Sequence, residues 1–187
     1  MSLRLKIWIL TGLIFVGLLG IMLIGLFTLR YASNLDNSAR VEQLLNSTYA
    51  SVIQMENLAA TGKLDEAKAK EFATQILRNN IYHNSEYVYV ADEQLNFVAT
   101  PLDPQLHGTS FHEFKDGNGK SVGDILQNAV NAANGKLARY HWTQKQANGS
   151  IEDKLSIARV TPKWHWVVGT GIGFNEANAR FWETARW

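Results

Sequence analysis

The first apolar segment of the chain has no polar face. From Ile7 to Leu29, 23 consecutive residues carry no charge, and Leu, Ile, Gly and Phe dominate them. A helix of this length rises about 34 Å at 1.5 Å per residue, enough to cross a bilayer core of about 30 Å. The run is longer than the apolar region of a signal peptide, and Arg30 fits a cleavage site poorly. We therefore expect an uncleaved transmembrane helix over residues 7–29.

Basic residues at the two ends of this segment indicate its orientation. Arg4 and Lys6 precede the segment, whereas Arg30 alone follows it closely. Because basic residues favour the cytoplasmic side, residues 1–6 are expected to form a cytoplasmic N-terminus in the cell membrane. The rest of the chain is then periplasmic or extracellular.

A narrow apolar stripe predicts a second helical segment, over residues 30–62. Apolar groups recur there at intervals of three and four residues, at Val41, Leu44, Leu45, Thr48, Val52, Met55 and Ala59. A long helix with so narrow a stripe usually packs on a partner helix as well as on its own domain. We expect this helix to form a homodimer contact. Packing on the chain's own sheet alone is the alternative.

The period of the pattern changes from helical to strand-like after residue 80. Asp65 is a candidate N-cap for a short helix that stops at Asn79-Asn80, and Ser121 starts a helix that stops at Asn134-Gly135. Alternating segments predict five strands, Glu86–Ala91, Phe97–Thr100, Leu137–Thr143, Lys154–Val160 and Trp164–Thr170. Short turns, with Asn148-Gly149 between strands 3 and 4 and Thr161-Pro162 between strands 4 and 5, make strands 1–2, 3–4 and 4–5 antiparallel neighbours. The order predicts an α+β domain over residues 63–174 with a five-stranded antiparallel sheet.

A last helix is predicted over residues 175–187. It carries Phe181, Trp182 and Trp187, and aromatic residues at a helix end are typical of a membrane interface. We expect it to lead into a second membrane span that the sequence does not include. A surface helix with a core-facing Phe181 is the alternative.

Alternation along the strands gathers polar aromatic side chains on one face of the predicted sheet. The sets that share a face are Tyr87 and Tyr89, then Ala138, Tyr140 and Trp142, then Lys154, Ser156 and Ala158, and finally Trp164, Trp166, Val168 and Thr170. Placed on the same side, they form a cup of rings with one ammonium group. A small organic anion needs a cation with hydrogen-bond donors and an apolar wall for its carbon end. Ordinary core for the aromatic residues, with a solvated Lys154, is the alternative.

Other motifs point to no catalytic or metal chemistry. His112-Glu113 begins a zinc-protease motif, but position 116 is Asp, and the Asp116–Gly119 turn lacks the Glu that closes a calcium loop. Gly169–Gly173 lacks the third glycine of a dinucleotide-binding loop. The net charge of +1 suggests no nucleic-acid partner, and the absence of cysteine excludes disulfides and thiolate sites. We expect no metal, no cofactor and no enzymatic activity.

Seven short motifs, in order over about residues 58–175, resemble the single Cache domain of bacterial methyl-accepting chemotaxis receptors. They are Ala60-Thr61-Gly62-Lys63-Leu64, Glu86-Tyr87-Val88-Tyr89-Val90, Ala99-Thr100-Pro101-Leu102, Asp116-Gly117-Asn118-Gly119-Lys120, Tyr140-His141-Trp142, Lys154-Leu155-Ser156 and Trp164-His165-Trp166-Val167-Val168-Gly169-Thr170-Gly171. The resemblance implies a PAS-like fold with a ligand cavity, a dimerising N-terminal helix and a periplasmic sensor between two spans. It also implies a small carboxylate ligand such as acetate, propionate, pyruvate or lactate.

The same resemblance places the ligand site on residues that alternation has already selected, namely Tyr87, Tyr89, Tyr140, Trp142 and Lys154, with Ser156 beside them. Three positions depart from the family pattern. Thr100 stands where a His commonly precedes the Pro, Thr143 where a Pro commonly follows the Trp, and Ile157 where an aromatic commonly follows the Ser. Because Thr100 keeps a hydroxyl, it remains a candidate ligand residue. It lacks the positive charge that a His at this position can carry.

The function predicted from the sequence is therefore the ligand-sensing part of a transmembrane chemoreceptor that signals across the membrane to cytoplasmic partners outside this sequence. The sensor module of a histidine kinase or of a cyclic-dinucleotide enzyme is an alternative, because the same front end suits each output. A sensor that docks a periplasmic binding protein is another.

Overall fold

A computed structural model describes residues 2–79, 87–100, 104–145 and 149–173, without the side chains of residues 33–37, 87, 172 and 173. The predicted last helix, 175–187, lies outside the described residues. Asn148 of the predicted Asn148-Gly149 turn also lies outside them, whereas Gly149 is described and has a φ of 84°.

One helix, α1 (Leu3–Ala60, 58 residues), runs through both of the predicted N-terminal helical segments. Its first part, Leu3–Ala32, is long and apolar enough to cross a membrane by length and composition. Large apolar side chains lie exposed all around it, including Leu10 at 61%, Phe15 at 64% and Phe27 at 76%. A helix that is apolar on every side and is not packed on the other described residues is typical of a membrane span.

The second part of α1 packs its apolar stripe on the sheet of the same chain. Val41 and Leu45 are buried against Ile157, and Val52 is buried in a larger cluster with the sheet and the next helix. The intrachain packing given above as the alternative therefore accounts for the stripe, and the expected dimer contact stays a prediction.

Two shorter helices, α2 (Glu66–Asn79) and α3 (Val122–Ala133), begin and end at the predicted signals. Asp65 accepts the Lys68 N–H at 3.2 Å, and Ser121 accepts the Asp124 N–H at 3.2 Å. Asn134 ends α3 in the left-handed region with a φ of 47°, a conformation that Asn tolerates better than most residues. Two 3₁₀ turns, Pro104–Leu106 and Phe111–Glu113, precede α3.

Five strands form one antiparallel sheet in the order β2-β1-β5-β4-β3. They are β1 (Tyr87–Ala91), β2 (Phe97–Ala99), β3 (Ala138–Lys145), β4 (Ile151–Val160) and β5 (Val167–Gly173). The three predicted neighbour pairs are all present, and the pairing of β1 with β5 joins the two hairpin groups. The α+β class and the five-stranded antiparallel sheet are thus confirmed.

Two strand boundaries differ from the prediction in ways that matter for the site. β4 begins three residues earlier, at Ile151, and β5 begins three residues later, at Val167. Trp164 and His165 lie in a turn instead, which Thr161 closes. The Thr161 N–H donates to the Trp166 carbonyl at 2.8 Å, and the Trp166 N–H donates to Thr161 Oγ1 at 3.0 Å.

Helices cover both faces of the sheet. α3 and the segment before it pack on one face, in a cluster that includes Tyr89, Phe111, Leu126 and Tyr140. We call this the α3 face. α1 and α2 pack on the other, in a cluster that includes Val90, Trp166 and Val168, and we call this the α1–α2 face.

Candidate functional site

The floor of the candidate site is made of small residues on the α3 face of the central strands. Gly169 on β5 pairs with Tyr89 on β1 and with Ala158 on β4, and Gly171 pairs with Ser156. A Cβ added at Gly169 would overlap the ring of Tyr89, so that ring lies directly across the glycine. Because Gly169 and Gly171 have no side chains, residues of the outer strands can reach over this part of the middle strand.

Two tyrosines meet above this floor. Tyr89 from β1 and Tyr140 from β3 bring their hydroxyl oxygens to 2.8 Å, and the two residues are 2% and 4% exposed. Each hydroxyl can donate one hydrogen bond and accept others. The pair therefore offers a buried donor and acceptor centre between strands that are not neighbours.

Trp142 and Ser156 lie beside the tyrosine pair along the sheet. We call these four residues, together with Lys154 and Glu152, the polar cluster. The indole Nε1–H of Trp142 donates to Ser156 Oγ at 3.0 Å, and both side chains are buried. The Trp142 ring also meets Phe114 edge-on, with centroids 5.6 Å apart. The indole thus contributes an apolar wall and a polar edge to the same region.

Lys154 lies on the same face, and it does not reach bulk solvent. Its side chain is 6% exposed, and its Nζ lies 3.2 Å from Oε2 of Glu152, whose side chain is 4% exposed. Lys154 is in the interior of β4, opposite Trp142 on β3. A buried ammonium is stabilised only where charged or polar partners replace water, and Glu152 is one such partner.

Glu152 was missed by the sequence analysis, which began the fourth strand at Lys154. Because β4 begins at Ile151, Glu152 shares a face with Lys154, Ser156 and Ala158. The alternation of Glu152, Lys154 and Ser156 was the available signal, but acidic residues close to a turn are ordinarily solvated.

Aromatic rings cover the cluster from the side of α3. Phe111 lies 4.9 Å from Tyr89 and 4.5 Å from Phe97 between ring centroids. At Gly123, near the start of α3, an added Cβ would overlap the backbone of Phe111 and His112. These contacts hold α3 and the 3₁₀ turn close to the sheet and keep water from the polar groups beneath.

Two other predicted site residues are placed less closely. Tyr87 pairs through its backbone with Gly171, but its side chain lies outside the described part of the chain. Thr100, just beyond β2, is 6% exposed, and its N–H donates to His107 Nε2 at 3.0 Å. Burial and the nearby guanidinium of Arg78 lower the pKa of His107. A neutral imidazole, with Nε2 free of a proton, is what this hydrogen bond requires.

The prediction that Trp164, Trp166, Val168 and Thr170 line the cup is wrong. Val168 pairs with Val90, and both belong with the two tryptophans to the cluster on the α1–α2 face. The residues of β5 that face the cup are instead Val167, Gly169 and Gly171. Since both faces of this strand are buried, alternation groups its residues correctly but does not say which group faces which layer.

The other two departures from the family pattern lie away from the polar cluster. Ile157 packs against Val41 and Leu45 of α1. Thr143 donates from its hydroxyl to Asp116 Oδ2 at 2.9 Å, and so ties the Asp116–Gly119 turn to β3. Within the described residues, no group of three or more His, Cys, Asp or Glu side chains is arranged to hold a metal ion.

The profile of the family named single Cache domain 2 matches residues 33–187. The chain belongs to this Cache family. A sensor histidine kinase, MctS, from Rhizobium johnstonii is 32% identical over 74% of this chain and 32% of its own length. A methyl-accepting chemotaxis protein, McpP, from Pseudomonas putida is 22% identical over 97% of this chain and 33% of its own length. The Cache chain spans about a third of the length of these two relatives.

Two solved structures share the fold. A periplasmic sensor domain of a chemotaxis protein aligns with a TM-score of 0.60 and 29% identity, covering 75% of this chain and 96% of its own. A Cache chemosensory domain described for carboxylic acid recognition aligns with a TM-score of 0.62 and 19% identity, covering 75% and 95%. At that identity the second likeness supports the fold, and the ligand has to be argued from the residues of this chain.

Proposed function

We propose that this Cache chain is the ligand-sensing part of a transmembrane receptor and that it binds a small organic anion, such as acetate, propionate, pyruvate or lactate, on the α3 face of its sheet. The observation that carries this proposal is the burial of Lys154, at 5% exposure, on the face that also holds the Tyr89–Tyr140 pair. A buried cation beside hydroxyl and indole groups suits a carboxylate with a short carbon end.

Each polar residue of the cluster has a proposed role. Lys154 pairs with the carboxylate, and the hydroxyls of Tyr89 and Tyr140 donate hydrogen bonds to it. Trp142 forms the wall for the apolar end, with its N–H held on Ser156 at 3.0 Å. Tyr87 and Thr100 complete the proposed lining. The solved Cache domain described for carboxylic acid recognition makes this ligand class a reasonable first choice.

The proposed placement in the cell follows from α1 and the relatives. Residues 7–29 would span the cell membrane, with residues 1–6 in the cytoplasm and residues 63–174 as a periplasmic sensor. Residues 175–187 would lead toward a second span. The solved periplasmic sensor domain at 29% identity supports this arrangement. A receptor that contains such a sensor would report to a cytoplasmic output, of the chemotaxis or histidine kinase type found in the two curated relatives.

We also propose that two copies associate through residues 30–62, most of which belong to α1. The apolar stripe of this helix is already occupied by its own sheet, so the dimer contact would use the opposite side. A surface groove there is lined by Tyr49, Ala50, Ile53, Gln54, Asn57, Leu58, Thr61 and Lys63. Cross-linking of Gln54→Cys in membranes would give a disulfide-linked dimer if this contact forms, and monomer alone would exclude it.

Isothermal titration of the full chain in lipid nanodiscs tests the ligand proposal. We expect one or more of acetate, propionate, pyruvate and lactate to bind. Substitution Lys154→Met, which keeps the length of the side chain and removes its charge, should weaken binding by about a hundredfold, as expected for a lost charge-assisted hydrogen bond. The control is Lys145→Met, an exposed lysine on β3. Failure of the whole panel to bind, or equal affinities of Lys154→Met and the wild type, would reject the site.

A further inference from the structure

Glu152 changes the charge of the proposed site. Its carboxylate and the Lys154 ammonium are 3.2 Å apart, with side chains only 4% and 6% exposed. The two charges therefore compensate each other before any ligand is present. A plain carboxylate that binds Lys154 adds a second negative charge beside the first, in a region from which water is largely excluded, and like charges disfavour each other there.

The geometry places any bound carboxylate within reach of Glu152. A ligand oxygen that accepts a charge-assisted hydrogen bond from Nζ lies about 2.8 Å from it. Glu152 Oε2 lies 3.2 Å from the same nitrogen. The ligand oxygen and Oε2 can therefore be no farther apart than about 6 Å, the sum of the two distances. An ammonium has three donors, so Lys154 can serve both carboxylates. A substituent next to the ligand's carboxylate can then reach Glu152.

We propose that Glu152 is a specificity-determining residue that makes the site prefer carboxylates carrying a hydrogen-bond donor on the adjacent carbon, of the 2-hydroxy or 2-amino acid class, over plain carboxylates. This inference rests on the proposed function. An ionised Glu152 only accepts hydrogen bonds. A hydroxyl or ammonium on the ligand supplies a donor to that acceptor and offsets the repulsion between the two carboxylates, whereas a methyl or methylene group supplies none.

The test compares lactate with propionate, which differ by one hydroxyl, by titration of the full chain in nanodiscs. We expect lactate to bind at least about tenfold more tightly, as for a hydrogen bond to a charged group. Glu152→Gln should bind propionate more tightly than the wild type and reduce the lactate-to-propionate affinity ratio several-fold. Asp153→Asn removes the same charge from the next residue, which is exposed, and should leave the ratio unchanged.

A second comparison needs no variant, in case Glu152→Gln fails to fold. 2-Methoxypropionate keeps the oxygen of lactate but has no proton to donate, so it should bind no better than propionate. Equal affinities for lactate and propionate, an unchanged ratio in Glu152→Gln, or 2-methoxypropionate binding as tightly as lactate would each overturn the inference and leave the carboxylate site standing. Absence of binding by every carboxylate would overturn both proposals.

Discussion

The two faces of the sheet are buried to a similar degree and differ in what they bury. The α3 face holds the Tyr89–Tyr140 pair, the Trp142–Ser156 bond and the Lys154–Glu152 ion pair close together. The α1–α2 face is mainly apolar, with Val52, Leu77, Val90, Trp166 and Val168 at its centre. Beside this apolar cluster, the carboxylate of Glu56 accepts the Trp164 N–H at 3.0 Å.

Under the proposed function, this difference separates two roles: the α3 face binds the ligand, and the α1–α2 face anchors the helices to the sheet. Replacing a buried ion pair by apolar residues of similar volume is often neutral or stabilising, so stability alone does not explain the charges on the α3 face. The apolar face does what a core normally does, and it fixes α1 to the strand that carries Gly169. If the separation is real, substitutions on one face should change stability without changing affinity, and those on the other should change affinity.

The largest expected effect is on the apolar face. Trp166 is 6% exposed and packs against Trp164, with ring centroids 5.0 Å apart. Trp166→Ala should lower the free energy of unfolding by about 4 kcal/mol, because it leaves a large cavity. Urea unfolding of the full chain in detergent micelles measures this. The folded variant should keep the carboxylate affinity of the wild type. Phe72→Ala, at a side chain that is 45% exposed, is the control and should cost less than about 1 kcal/mol. A folded Trp166→Ala protein that no longer binds carboxylate would show that the two faces are coupled.

The next effect tests the floor of the polar cluster. Gly169→Ala should lower the free energy of unfolding by about 3 kcal/mol, because the new Cβ overlaps the ring of Tyr89. It should also weaken carboxylate binding by displacing the Tyr89 hydroxyl. Combining it with Tyr89→Ala should cost less than the sum of the two single substitutions, as expected for groups in contact. Additive costs in the double-mutant cycle would contradict the contact.

The contact of Tyr89 with Gly169 illustrates what the sequence could not predict. Helix ends at Asp65, Ser121 and Asn134 follow from neighbouring residues, and local chemistry was enough to place them. The fit of a ring over a glycine 80 positions away depends on the register of β1 against β5, which no hairpin determines. Gly169 falls within the predicted fifth strand, but nothing near it in the sequence indicates the ring that lies over it.

The composition of the site was predictable in part. Alternation grouped Tyr89, Tyr140, Trp142 and Lys154, which the structure places on one face, because each belongs to a strand whose other face is apolar or exposed. It failed for β5, where both faces are buried, as on β1, but the side that faces the cup carries Val167, Gly169 and Gly171 and no polar side chain that marks it. It also missed Glu152, because a charged residue near a turn is ordinarily solvated.

A smaller effect is expected at the junction between α1 and the β4–β5 turn. Glu56 is 1% exposed, and its Oε1 accepts the Trp164 N–H at 3.0 Å, whereas Oε2 is buried without a hydrogen-bond partner among the described residues. Glu56→Ala should lower the free energy of unfolding by about 2 kcal/mol, because the buried Trp164 N–H loses its acceptor. Glu56→Gln keeps an acceptor and should cost less than Glu56→Ala. Gln54→Ala, an exposed residue on the same helix, is the control. Equal losses in the Ala and Gln variants would assign the effect to packing instead of to the hydrogen bond.

The smallest effect concerns Asp116, which lies on neither face and ties the turn before α3 to the edge strand β3. Burial raises the pKa of its carboxyl, but N–H groups of Lys120 and Asn118 and the hydroxyl of Thr143 donate to it, at 2.7, 2.9 and 2.9 Å, and the net result is a pKa below the usual value. A carboxyl whose pKa is lower in the folded state stabilises the fold above its unfolded pKa, and this stabilisation is lost as pH falls through the folded pKa.

Asp116→Asn should therefore lower the free energy of unfolding by about 1 kcal/mol at pH 7 and make the decline of stability below about pH 4 shallower. Urea unfolding between pH 7 and pH 3 measures both, with the exposed Asp153→Asn as control. Carboxylate affinity at pH 7 should be unchanged, because the turn holds the edge of β3 from outside the polar cluster, and a loss of affinity would extend the binding site beyond the α3 face.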